Sequence, residues 1–138
     1  DLKFSVKLPP DLAPVALDKD LFRIAVNNLL TNAIKYNQAG GSVILSAEEM
    51  DDQILIRVRD TGIGISPEDQ PRIFDKFFRA SNPDAASRGG HGLGLYLARE
   101  IIELHHGKLS VQSELGKGTE FSIIIRKAPV RAAGGATA

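Results

Sequence analysis

Residues 54–65 read ILIRVRDTGIGI. Ile54, Ile56 and Val58 recur at every second position, which predicts a strand with one buried face. The strand ends on Asp60, and Gly62 and Gly64 follow, residues that permit a tight turn and a close approach of another group to the backbone. An acid delivered by a strand into a glycine-bearing turn is either a plain turn or the floor of a ligand site.

Upstream, Val43, Leu45 and Ala47 alternate in the same way, so the two runs pair as an antiparallel hairpin around Met50, Asp51 and Asp52. Before them Asp18 can cap a helix whose apolar stripe is Phe22, Val26, Leu29, Leu30 and Ala33, ending before Gly40 and Gly41. Phe4, Val6 and Leu8 alternate with Lys3, Ser5 and Lys7, which predicts a half-buried first strand closed by Pro9 and Pro10.

Downstream, the pattern loosens from Gly62 to Gly92, with Pro67, Pro71 and Pro83 and one apolar knot at Ile73, Phe74, Phe77 and Phe78. A stretch this long and irregular inside a compact domain is usually functional or mobile. A second helix follows, with a predicted core face of Leu93, Leu97, Ile101 and Leu104 and a left-handed stop at Gly107. Strands at 109–113 and 120–126 flank a turn containing Gly116 and Gly118. This order of elements predicts an α+β fold, a two-layer sandwich in which a mixed, mostly antiparallel sheet carries helices on one face.

A chain of 138 residues, 43% hydrophobic, supports one core, and a single domain over 1–127 is expected. Residues 128–138, APVRAAGGATA, lack periodicity and read as a flexible tail. Seventeen basic and seventeen acidic side chains give no overall imbalance toward nucleic acid or anionic membrane, so an anion site must be built locally. The absence of cysteine excludes a disulfide framework, thiolate zinc and cysteine nucleophiles, and is compatible with a reducing cytoplasm. With no apolar run of about eighteen residues and no basic leader, membrane insertion of this segment is not expected.

Asn28, Asn32 and Lys35 are spaced by four and three residues and share one helix face beside the apolar stripe. Two amides and an ammonium there can ligate a hydrated magnesium ion and steady phosphate oxygens, or simply form a solvated face. Gly90, Gly92 and Gly94 open the second helix, where free amides and the helix dipole favour phosphate. Neither a GxxxxGK[ST] loop nor a three-glycine dinucleotide fingerprint is present.

Taken in order, NNLLTNAIKY at 27–36, DTGIGI at 60–65, FDKFFR at 74–79, GGHGLGL at 89–95 and GKGTEF at 116–121 resemble the N box, first glycine box, F box, second glycine box and closing glycine-threonine motif of sensor histidine kinase catalytic domains. The resemblance implies the Bergerat ATP-binding fold of the superfamily shared with type II topoisomerases, mismatch-repair ATPases and heat-shock chaperones. It also implies that Asp60 reads the adenine amine, with Gly62 and Gly64 letting the base lie on the backbone. Asn32 would hold Mg²⁺ against the phosphates of ATP, Asn28 would assist, Lys35 would contact phosphate and Tyr36 would lie against the nucleotide. Residues 79–90 correspond to an ATP lid, with Arg79 or Arg88 reaching phosphate and Phe74, Phe77 and Phe78 anchoring one end by packing. Gly90, Gly92 and Gly94 would offer amides, and Ile65, Leu93, Leu95 and Thr119 would complete the pocket.

None of the three histidines resembles the family's phosphoacceptor motif. His91 reads as an exposed loop residue, while His105 and His106 suit the C-terminal cap of the second helix. The resemblance therefore implies an acceptor on a helical dimerisation domain outside this chain, a response regulator downstream, a monomeric fragment, and a cytoplasmic domain whose parent is an inner-membrane sensor in one reading. ATP hydrolases of the superfamily carry a glutamate base at the position held here by Asn28, whose amide cannot take a proton from water at neutral pH. A nucleotide-switched interaction module would use the same binding residues.

Overall fold

The computed structural model describes residues 2–10, 12, 15–78 and 93–127. Five strands form one sheet in the order β1-β2-β3-β5-β4: β1 is Lys3–Lys7, β2 Ser42–Met50, β3 Gln53–Asp60, β4 Lys108–Glu114 and β5 Gly118–Arg126. β1 runs parallel to β2 and every other pairing is antiparallel. Helices α1 (Lys19–Lys35) and α2 (Gly94–Leu104) cover one face. The predicted α+β sandwich is thus observed, and no described helix is long and apolar enough to cross a membrane.

The core lies between the layers. Val43, Val58, Phe121, Ile123 and Ile125 on the sheet meet Ala25, Leu29 and Ala33 of α1 and Ala98, Ile101 and Ile102 of α2. The alanines allow the helices to lie close to each other and to the strands. The hairpin between β2 and β3 turns at Asp51, whose φ of 49° is a left-handed conformation that aspartate tolerates. Phe74, in the segment after β3, packs edge-on against Phe121 with ring centroids 6.1 Å apart, and this ties the irregular segment to the core.

Four expectations are corrected. The first strand is exposed along its length, with Phe4, Val6 and Leu8 all more than half exposed. Its side chains do alternate, but β1 is an edge strand that the helices do not reach. The buried face of α2 is Ala98, Ile101 and Ile102, whereas Leu93, Leu97 and Leu104 face outward at 38, 43 and 65% exposure. Both stripes have helical spacing, and packing against α1 selects the one bearing the small Ala98. The left-handed residue after α2 is His106 (φ 62°), not Gly107. A side chain at Gly107 would meet the Ile124 carbonyl at 2.7 Å, so close packing accounts for that glycine. Finally, Phe74 and Phe78 pack on the core but Phe77 is 63% exposed, with a positive φ of 64°.

The two helix ends are clipped together. Asp18 caps α1 by accepting from the Leu21 N–H at 3.0 Å, and its own N–H donates to His105 Nε2 at 2.9 Å. Because Nε2 accepts, the ring proton sits on Nδ1, which donates to the Ile101 carbonyl at 2.8 Å. His105 therefore joins the start of α1 to the end of α2. His105→Ala is expected to lower the unfolding free energy by about 1–2 kcal/mol in a denaturant titration; an unchanged midpoint and slope would remove the clip from the account.

Candidate nucleotide site

Asp60 ends β3 opposite Val43 of β2 and Thr119 of β5, at the edge of the core. It is 6% exposed. One carboxylate oxygen, Oδ1, accepts from the Gly62 N–H at 2.8 Å and the Thr119 N–H at 3.2 Å. Burial pushes its carboxyl up from 3.8 to about 6, and the two amide donors pull in the opposite direction without cancelling that effect. Among the described residues no cation pairs with it. Oδ2 makes no hydrogen bond there either, which leaves a charged acceptor for a ligand donor.

The loop beyond Asp60 is clamped from two sides. On one side Asn37, itself buried, donates through Nδ2 to the Ser42 carbonyl at 2.9 Å, and its Oδ1 accepts from the Gln38 N–H at 2.8 Å. Thr61 Oγ1 lies 3.4 Å from the same oxygen and accepts from the Ser42 N–H, while Gln38 Nε2 donates to the Gly62 carbonyl and the Ile63 N–H to that of Tyr36. On the other side Ser113 Oγ accepts from the Ile65 N–H at 2.8 Å, and Gln70 Nε2 is shared by the carbonyls of Ile65 and Ser113. The turn after α1 and the β4–β5 hairpin thus fix both walls beside Asp60.

The loop glycines answer to protein contacts. A Cβ on Gly62 would lie 2.3 Å from the Tyr36 carbonyl, and one on Gly64 2.2 Å from that of Glu114, where φ is also 77°. Packing by itself therefore requires glycine at both positions: larger residues would push α1 and β4 away from the loop.

On α1, Asn28 and Asn32 are half-buried one turn apart on the same face. Asn28 points toward the start of α2: its Oδ1 lies 3.6 Å from where a Cβ on Gly94 would be. Among the described residues its Nδ2 is buried without a partner, which costs free energy unless a group outside them satisfies it. The N-cap residue of α2, Leu93, makes no side-chain cap, so among the described residues the first-turn amides and positive dipole end of α2 lie beside that amide without a side-chain partner. No group of three or more His, Asp or Glu among the described residues could hold a metal, so a divalent cation here must rely on amide oxygen and on oxygens of its ligand. Lys35 and Tyr36 continue the same end of α1, with Lys35 Nζ 5.7 Å from the Tyr36 ring centroid.

A family model described as histidine kinase-, DNA gyrase B-, and HSP90-like ATPase matches residues 17–129. The chain belongs to this family. It is an ATP-binding catalytic domain of the sensor histidine kinase kind. It is 43% identical over 106 residues to sensor histidine kinase RppB of Synechocystis, covering 77% of this chain and 23% of the relative. Heme sensor protein HssS of Staphylococcus saprophyticus is 40% identical over 121 residues, 86% of this chain and 25% of that one. The chain thus spans about a quarter of the length of these relatives. Among solved structures, the mycobacterial sensor histidine kinase MprB aligns with a TM-score of 0.81 at 29% identity, over 94% of this chain and 86% of that one. Full-length ShkA in complex with AMPPNP aligns at 0.76 and 30% identity, over 96% of this chain and 28% of that one.

In the kinase domain Asp60, Gly62, Gly64, Ile65 and Thr119 stand together at one wall, and Asn28 stands beside Gly94 where α2 begins. Leu95 is packed against the core and Leu93 is the exposed residue before α2. Phe77 points outward against Lys76, 5.6 Å from its ring. Arg79, Gly90 and Gly92 lie outside the described residues, as do Arg88 and His91. Sequence reading missed Asn37, Gln38, Thr61, Ser113 and Gln70. Asn37, directly after the NNLLTNAIKY run, was the one with a signal, since a lone asparagine between a helix and a Gly-Gly turn is a natural backbone tie.

Asp60 links the site to stability. Its unfolded value is near 3.8 and its folded value about 6, so between these the folded state takes up the proton and stability falls as pH rises through that window. Above about pH 6 the full burial cost is present. Asp60→Asn is expected to raise the unfolding free energy of the ligand-free domain at pH 7.5 by about 1–3 kcal/mol and to flatten its pH dependence between 4 and 6; denaturant titrations across pH check this, and a loss of stability at pH 7.5 would contradict it.

Proposed function

We propose that this domain moves the γ-phosphate of Mg·ATP onto a histidine nitrogen of a separate helical dimerisation domain, from which a response regulator aspartate later receives it. One observation supports transfer over hydrolysis. The only acid on α1 is Asp20 in its first turn, and the position facing Gly94 is held by the amide of Asn28. Water entering here meets no carboxylate on that helix to take its proton. An imidazole needs none, because its neutral ring already carries a nucleophilic lone pair.

In this reading Asp60 Oδ2 accepts from the exocyclic amine of adenine, which separates ATP from GTP, whose carbonyl at that position would face a carboxylate. Ile65 and Thr119 line the base side, Tyr36 lies against the nucleotide and Lys35 neutralises phosphate charge. Asn32 and Asn28 supply the amide oxygens that would hold Mg²⁺; the orphaned Nδ2 of Asn28 and the open amides of Gly94 and Leu95 fit a phosphate placed between them. When bound, the cation would supply charge neutralisation across the phosphate oxygens. The domain contributes positioning and electrostatics, as phosphoryl transfer requires. Phe77, Arg79, Gly90, Gly92 and Leu93 are assigned to the phosphate end on the family resemblance alone.

Calorimetric titration with ATP and GTP, with and without Mg²⁺, should show adenine-selective, magnesium-sensitive binding. Asp60→Asn should weaken ATP by roughly ten- to hundredfold, the size of a charged hydrogen bond, in the same variant whose ligand-free stability rises. Near-wild-type affinity there would remove the adenine-reading role. Asn32→Ala should abolish the magnesium dependence, and a normal magnesium titration would reassign the cation. Mixing the domain with a histidine-bearing helical domain and ATP should yield acid-labile phosphohistidine. Binding without transfer to any such partner would instead favour a domain whose nucleotide only switches an interaction surface.

A further inference from the structure

Among the described residues no layer packs on the sheet face turned away from the helices, and that face carries an excess of positive charge. The strand register places Lys3, Ser5 and Lys7 of β1 there, with Ser42, Ile44, Ser46, Glu48 and Met50 of β2, Gln53, Leu55, Arg57 and Arg59 of β3, Gly118, Glu120, Ser122, Ile124 and Arg126 of β5, and Lys108, Ser110, Gln112 and Glu114 of β4. Six cations and three carboxylates leave an excess of three positive charges on this face, in a chain whose formal net charge is zero.

All three carboxylates have partners, Glu114 with Lys117 of the adjoining turn at 3.5 Å and the other two within the face. Arg57 bridges Glu48 at 2.9 Å and Glu120 at 3.1 Å, and Arg59, 69% exposed, reaches Glu120 only at 3.9 Å. Lys3, Lys7, Lys108 and Arg126 are exposed and have no ion pair among the described residues. The centre is dished: Lys7, Ile44, Ser46, Arg57, Arg59 and Glu120 surround a shallow depression of about 360 Å³.

We propose that this outer sheet face docks an acidic protein surface. Five strands at about 4.8 Å spacing spread the cations over about 20 Å, farther apart than one small anion can touch at once. The three carboxylates sit among the cations and would oppose a continuous phosphate backbone, and among the described residues no aromatic side chain projects from the face to stack on bases. A membrane surface would be engaged with exposed apolar side chains, yet the exposed large apolar residues, Phe4, Leu97, Leu104 and others, all lie elsewhere. Serines between the cations give a hydroxyl-rich, low surface that a folded acidic partner can cover, and the Glu48–Arg57–Glu120 chain holds the central guanidinium in a fixed orientation. The Asp60 side chain is on the opposite, helix side of the sheet, so docking here leaves the nucleotide pocket free.

The test uses the full chain and a fluorescein-labelled peptide of twelve glutamates, followed by anisotropy, with backbone-amide NMR shifts mapping the contact. Binding is expected to perturb the amides of β1, β3 and β5 and to weaken steeply between low and physiological salt. Lys7→Glu/Lys108→Glu/Arg126→Glu should weaken it at least tenfold while ATP affinity stays unchanged; Lys19→Glu/Arg23→Glu/Lys117→Glu, the same charge change elsewhere, should have little effect. If the first variant does not fold, the wild-type shift map decides by itself. Equal losses in both variants, shifts confined to the helix side, or tighter binding of duplex DNA or phosphatidylserine vesicles than of the peptide would each overturn the proposal.

Discussion

The buried carboxylate of Asp60 is the constraint around which the rest is arranged. A charge this far from water is unfavourable unless amides point at it, and the fold supplies two, from Gly62 in its own loop and Thr119 on the neighbouring strand. Meeting that demand fixes the pairing of β3 with β5, the path of the loop and the identity of its glycines, because the loop can turn back to the carboxylate only by pressing against Tyr36 and Glu114. The residual cost is visible as a carboxyl pushed up to about 6. A ligand donor that reached Oδ2 would relieve it, so this cost and the proposed selectivity for an amine would have one origin.

Much of this was legible in the sequence. The alternation in 43–47 and 54–58 placed the central hairpin, the stripe from Phe22 to Ala33 placed α1, and the strand-acid-glycine order put Asp60 where it stands. These signals are local: period, cap and turn are set within a few residues. What escaped was decided at a distance. The face α2 buries depends on which of two helical stripes meets α1, and its composition favours neither. The exposure of β1 follows from its place at the edge, and a strand's own alternation carries no information about its rank in a sheet. The clamps at Asn37, Gln38, Ser113 and Gln70 join segments up to 48 residues apart, with polar residues that look like ordinary loop members. At the site, amide spacing brought out Asn28 and Asn32, but the orphaned Nδ2 that gives Asn28 its meaning exists only once α2 is laid beside it.

The two faces of the sheet divide the molecule's work. One is apolar and closed by helices, and the groups proposed to bind nucleotide stand at its open end. The other is basic, hydroxyl-rich and uncovered, although nothing in the overall composition announces it, since seventeen charges of each sign cancel. Segregation of charge, invisible in a net value, appears only when residues are sorted by the side of the sheet they project from.

The His105 clip also has a mechanical consequence. It pins the last turn of α2 to the first turn of α1, while Gly94 and Asn28, which meet each other, lie at the opposite ends of their contact. Two antiparallel rods joined at one end form a pair of tongs. Eleven residues separate pivot from tip, about 16 Å at the helical rise, so a tilt of about 5° would open or close the gap at Gly94 by roughly 1.4 Å. That distance separates a hydrogen bond from none. The far end of the helix pair thereby bears, together with the core packing between the helices, on the distance at which Gly94 is held from Asn28.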